Sequence, residues 1–170
     1  MPQFAVAFVR YVDAFNKRVG RFAMYLFFAM GGILLASTVS RVVLGYPFSW
    51  ALEMSQFILS AYYILGGAYT LQLNQHVRMD LVYDQLTVRR RATVDAFTIL
   101  FVIFYLVILL GGGLSSTEYA IKYGQRNYTA WGPVLWPIKV IMTAGIFFML
   151  LQTISCFIKD IAIVRGKPIA

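Results

Sequence analysis

The residues best suited to chemistry in this 170-residue sequence are few and widely spaced. Arg41, Glu53, Glu118 and Lys139 lie at the ends of long apolar stretches, His76, Asp80 and Asp84 share one short polar segment, and Cys156 stands alone inside an apolar run. One histidine and two aspartates in a loop fall short of the clustered ligands of a metal site and of the paired groups of acid–base catalysis. Their expected work is local, with Asp80 capping a helical turn and ordering the loop. Cys156, the single cysteine, has no disulfide partner in the chain and reads as a small apolar packing residue. The four charged residues suggest something different. Arg41 and Glu53 flank a Gly45-Tyr46-Pro47 turn that brings them together in an antiparallel hairpin, and Glu118 and Lys139 face each other across a second connection. Such a cluster is either a structural lock or a contact for a partner chain. The third reading is that Arg41 and Lys139 extend separately toward lipid headgroups.

What must position these residues is a set of four apolar runs, approximately Phe22 to Leu44, Phe48 to Leu73, Ala92 to Thr117 and Val134 to Phe157. A helix needs about 20 mostly apolar residues to cross the ~30 Å hydrocarbon core of a bilayer, and each run is long enough. Composition agrees, with 60% hydrophobic and only 13% charged residues and a mean hydropathy of +0.71. The expected fold is therefore an all-α membrane protein, a single four-helix domain spanning residues 1–170. The first run is too long for a signal peptide core and lacks an A-x-A type cleavage site, so it is expected to remain as a span.

Residues 1–21 precede the first span. Phe4, Phe8, Tyr11, Val12 and Phe15 recur at helical spacing, with Arg10, Asp13, Asn16, Lys17 and Arg18 on the other side. This pattern predicts a short amphipathic helix in the membrane interface, its basic side toward anionic lipid headgroups. A second loop helix is expected after Asp80, with Met79, Val82, Tyr83 and Leu86 on one face and Arg89 to Arg91 as its basic anchor.

Topology follows from the basic residues. Arg10, Lys17, Arg18, Arg21, Arg78, Arg89, Arg90, Arg91, Lys159, Arg165 and Lys167 fall on one side, and only Arg41, Lys122, Arg126 and Lys139 belong to the other. The positive-inside rule then places both termini in the cytoplasm. The net charge of +8 is accounted for by these anchors, and without a continuous basic face no nucleic-acid partner is expected. Close helix packing is expected at Gly32, Ala36 and Ser40, at Gly66 and Gly67, and at Gly111 to Gly113. No ionisable residue falls near mid-membrane and no repeated pair of broken helices is visible, so the chain is poorly equipped to move a solute by itself.

Three features in order, Trp50-x-x-Glu53, Gly66-Gly67-Ala68 and His76-Val-Arg-Met-Asp80, followed by Trp136-Pro137, resemble the small DctQ-like membrane subunit of tripartite ATP-independent periplasmic (TRAP) transporters. Leu52 and Met54 flank Glu53 where many of that family carry a second acidic residue, so a carboxylate pair is not expected. The resemblance implies a bacterial inner-membrane scaffold, not an enzyme, with no cofactor of its own. Its partners would be a large multi-span subunit carrying the solute and sodium sites, and a periplasmic protein that delivers a carboxylate-bearing solute such as a C4-dicarboxylate or sialic acid. The candidate partner or structural residues are then Arg41, Trp50, Glu53, His76, Asp80, Glu118 and Lys139, with Lys122 and Arg126 in an aromatic outer loop where the binding protein would dock. That loop also fits an interfacial aromatic belt. The competing readings are a self-associating four-helix membrane enzyme, which would need clustered polar and arginine residues at a cofactor, and a small exporter, which would need a carboxylate deeper in the membrane than Glu53.

Overall fold

The structure, a computed structural model, describes residues 3–73 and 87–165. Four long helices account for most of them: α1 (Gln3–Leu44), α2 (Ala51–Gln72), α3 (Val88–Lys122) and α4 (Trp136–Val164). His76, Asp80, Asp84 and the expected loop helix lie outside the described residues.

The helix ends follow local chemistry. Gly45 takes up a left-handed conformation at φ +80°, which ends α1 at the cost-free residue for that geometry. Pro47 follows, and the Ser40 hydroxyl donates to the Tyr46 carbonyl at 3.0 Å, fixing the turn into α2. Pro137 opens the first turn of α4, where its missing N–H has no cost. Between α3 and α4 the chain pairs with itself, Arg126 bridging Val134, with the Asn127 N–H donating to the Pro133 carbonyl at 3.0 Å and the Leu135 N–H to the Gln125 carbonyl at 2.9 Å.

Two expectations meet the structure here. Helix α1 runs unbroken for 42 residues, about 63 Å at 1.5 Å per residue, so the N-terminal amphipathic segment is the continuation of the first span and not a separate interfacial helix. Its packed side is Val9, Val12, Asn16 and Gly20, while Phe4 and Tyr11 of the expected lipid face stay 82% and 76% exposed. Phe15 meets Phe148 of α4 edge to face, with ring centroids 5.0 Å apart. The second, the count of spans, is supported in part. Helix α1, residues 90–122 of α3, and α4 are long and apolar enough to cross a membrane, and α2 is not among them. Its 22 residues reach about 33 Å, but Glu53, Ser55, Gln56 and Ser60 dilute its hydropathy.

Helix α4 is the hub. It packs against α3, α2 and, less extensively, α1, while α1 packs mainly along α2, and every substantial contact of α3 is with α4. In consequence 33% of the apolar window of α4 is buried, against 6% for α1 and for α3. The four helices thus form an open arrangement, with α3 attached through one side only.

The buried residues are mostly small: Ala23, Ala51, Ala61, Ala68, Ala120 and Ala162 with Thr153 and Ser155, while large side chains such as Phe28, Phe101 and Phe104 point outward. In lipid, where burial of apolar surface gains little, small residues that let backbones approach are what hold helices together. The tightest approaches are at two glycines outside the expected stripes. A Cβ on Gly145 would lie 2.1 Å from Ile64 Cγ2, and one on Gly20 would lie 2.5 Å from the Tyr69 Cβ. Of the expected packing positions, Gly67 and Gly113 do face neighbours, Met149 and Thr143, whereas Gly32, Gly66, Gly111 and Gly112 meet nothing within 4 Å.

Candidate functional site

Two polar assemblies hold the helices, one at each end. One, at the end that carries the α1–α2 and α3–α4 connections, centres on Lys139, in the first turns of α4. Its ammonium donates to Ser116 Oγ at 2.9 Å, to the Ser116 carbonyl at 3.4 Å and to Gln125 Oε1 at 2.8 Å. Gln125 is also the residue whose backbone carbonyl closes the paired α3–α4 loop, so Lys139 ties that loop to α3 and α4 together. One turn deeper the hydroxyls of Thr117 and Thr143 meet at 3.0 Å. The expected Glu118–Lys139 pair is therefore not formed; Glu118 is exposed and the lysine has taken neutral acceptors.

Arg41 and Glu53 do not pair either. Arg41 is exposed in a groove at the turn of the α1–α2 hairpin. Glu53 is only 7% exposed, and its Oε2 has no hydrogen-bond partner among the described residues. The four expected charges thus stand at one end of the fold without joining into one ion-pair cluster. Trp50 is the N-cap residue of α2 and stacks on Phe48, centroids 5.6 Å apart. Lys122 lies over the Tyr123 ring at 5.9 Å, Arg126 is exposed beside the loop bridge, and Tyr128 and Trp131 project from the loop.

The second assembly, at the opposite end, is not apparent from the sequence. Asn16 Nδ2 donates to Gln152 Oε1 at 2.7 Å, Gln152 Nε2 donates to Asp13 Oδ1 at 2.9 Å, and Ser155 Oγ donates to the same oxygen at 3.2 Å. Lys159 Nζ completes it with an ion pair to Asp13 Oδ2 at 2.5 Å. Asn16, Gln152 and Ser155 are buried to within 1% of completely, so this is a packed seam between α1 and α4. A signal was present: Gln152, Ser155 and Lys159 recur at helical spacing on one side of an otherwise apolar run, and polar groups at such depth seek partners.

Chemically, both assemblies fasten helices. Lys139, Lys159 and Gln152 are held by fixed neighbours, Asn16 donates to Gln152 while its Oδ1 has no partner among the described residues, and among the described residues no three His, Cys, Asp or Glu side chains come together as a metal site would require. The Lys139→Met variant should cost about 1.5 kcal/mol through the loss of its charged hydrogen bonds. Hydrogen exchange should show faster exchange confined to the Gln125 and Leu135 loop amides, with the α4 core amides unchanged.

Comparison with known proteins adds one finding. A family model described as "Tripartite ATP-independent periplasmic transporters, DctQ component" matches residues 30–162, most of the chain. No curated protein and no solved structure gives a match.

Proposed function

This chain belongs to the DctQ family of TRAP transporter components, and from that premise we propose that it is the small scaffold subunit that braces a large, sodium-coupled membrane subunit. The family is a transporter component and not an enzyme family. In the proposed assembly a periplasmic binding protein delivers a carboxylate-bearing solute, a C4-dicarboxylate, sialic acid or a similar organic acid, and the large subunit carries it inward. The present chain stays fixed in the bacterial inner membrane with all four helices across it and both termini cytoplasmic. Helix α2 crosses with its polar first turn sheltered by its neighbours, Glu53 and Ser55 being buried.

The observation that carries this reading is the openness of the fold. Helix α3 is attached through α4 alone and leaves most of its apolar length uncovered, as does α1. A protein built from internal polar fasteners, with two long apolar flanks free, is suited to lie against another membrane protein. The outer loop carrying Lys122, Arg126, Tyr128 and Trp131 faces the side from which the binding protein would approach.

Glu53 is the residue placed to sense the partner. A buried carboxylate oxygen without a donor is costly in hydrocarbon, and a cationic or hydroxyl group from the large subunit would relieve it. Solute uptake in cells lacking the native subunit tests this directly. Restoring the chain should restore uptake, and the Glu53→Gln variant should give at least several-fold less uptake at equal membrane abundance. Wild-type uptake by Glu53→Gln would remove the carboxylate from the account, and uptake without the chain would remove the scaffold.

A further inference from the structure

We propose that the outer end of the α1–α2 hairpin is a phospholipid site in which Arg41 holds the phosphate. A groove of about 410 Å³ opens there, with Ser37, Thr38 and Arg41 of α1 on one wall and Phe48, Ser49 and Leu52 on the other. The Arg41 guanidinium has no ion pair or hydrogen bond among the described residues, and the one nearby carboxylate in sequence, Glu53, is buried and does not line the groove. An unpaired planar cation beside hydroxyls is suited to a phosphodiester, which it can grip through two parallel N–H donors.

The groove also has a second character. Leu34 lies almost two turns below Arg41 on α1, and with Leu52 and Phe48 it gives the groove an apolar floor and side. A headgroup phosphate at Arg41 and an acyl chain running down past Leu34 would satisfy both characters at once. A free anion would use only the first, and a protein carboxylate would leave the apolar part unfilled. The Arg41 guanidinium remains the anchor. The proposal requires only that α1 crosses a membrane and does not depend on the large subunit.

Native mass spectrometry of the full chain in mild detergent, with added phosphatidylglycerol, tests it. The wild type should retain one lipid that Arg41→Gln retains at least tenfold less, with Arg41→Lys in between and Arg126→Gln like wild type. Circular dichroism of each variant checks that the helices persist; if Arg41→Gln is not helical, the Arg41→Lys comparison decides. Equal retention by wild type and the Arg41 variants would overturn the site. Displacement of the lipid by inorganic phosphate alone would mean a free-anion site and overturn the lipid assignment. Loss of the large subunit by Arg41→Gln with lipid retention intact would assign Arg41 to a protein carboxylate instead.

Discussion

Replacing Gly145 by leucine is expected to prevent α2 and α4 from packing, and even Gly145→Ala is expected to lower the thermal midpoint of the detergent-solubilised protein. A Cβ at this position would fall 2.1 Å from Ile64 Cγ2 and 3.4 Å from the Ile64 carbonyl carbon. The Cγ2 of a β-branched residue on a helix cannot swing away, because its χ1 is confined to nearly one rotamer. The helices must therefore separate or shift, and overpacking of this kind costs about 1–3 kcal/mol. For a protein of this size that corresponds to roughly 2–4 °C per kcal/mol. Because α4 joins the α1–α2 hairpin to α3, the loss should also reduce the yield of folded chain in the membrane. Shortening the obstacle supplies the control. Gly145→Ala combined with Ile64→Ala should recover much of the loss, since the two changes act on one contact and need not add. A double variant as unstable as the sum of the two singles would show that the approach of Gly145 to Ile64 does not limit the packing.

The second large effect is expected at Asp13. Its carboxylate accepts from Gln152, Ser155 and Lys159, so Asp13→Ala removes both acceptor oxygens and leaves three donors, two of them on fully buried residues, without them. Unsatisfied buried donors cost about 1–3 kcal/mol each, and a deprived lysine adds to this. The Asp13 and Lys159 side chains are 21% and 30% exposed, so water softens the charge component. A total of about 3 kcal/mol is expected, read as lowered thermal stability and as loosening of α1 before α3 in hydrogen exchange. Asp13→Asn, which keeps one acceptor oxygen, should lose less. If Asp13→Ala and wild type melt together, the α1–α4 polar seam is incidental to the fold.

The sequence showed the class of molecule clearly because hydrocarbon imposes one dominant demand, long apolar helices with every backbone group bonded internally. That demand is visible residue by residue in Phe22 to Leu44, Ala92 to Thr117 and Val134 to Phe157, and the Trp50 to Asp80 pattern pointed to the DctQ family that the family match established. Pairings were harder to read. A glycine stripe reports the ability to pack, but whether Gly32 or Gly20 meets a neighbour depends on the rotation of each helix, which nothing local in the sequence determines. Asp13 was grouped with its charged neighbours Arg10, Lys17 and Arg18 as an outward polar side, because amphipathic periodicity cannot distinguish water from a polar seam on α4. Lys139 illustrates the same limit. Charge complementarity suggested Glu118, yet the fold brought Ser116 and Gln125 within reach first, and three neutral acceptors can satisfy an ammonium as fully as one carboxylate.

The central claim, that the open α3 and α1 flanks exist to receive a larger membrane protein, is tested most directly by affinity purification of the tagged chain from its native membrane in mild detergent. Mass spectrometry would then identify and quantify what accompanies it. The account predicts a much larger multi-span protein recovered in equal proportion to the chain. Recovery of the chain alone, or only as copies of itself, would contradict it.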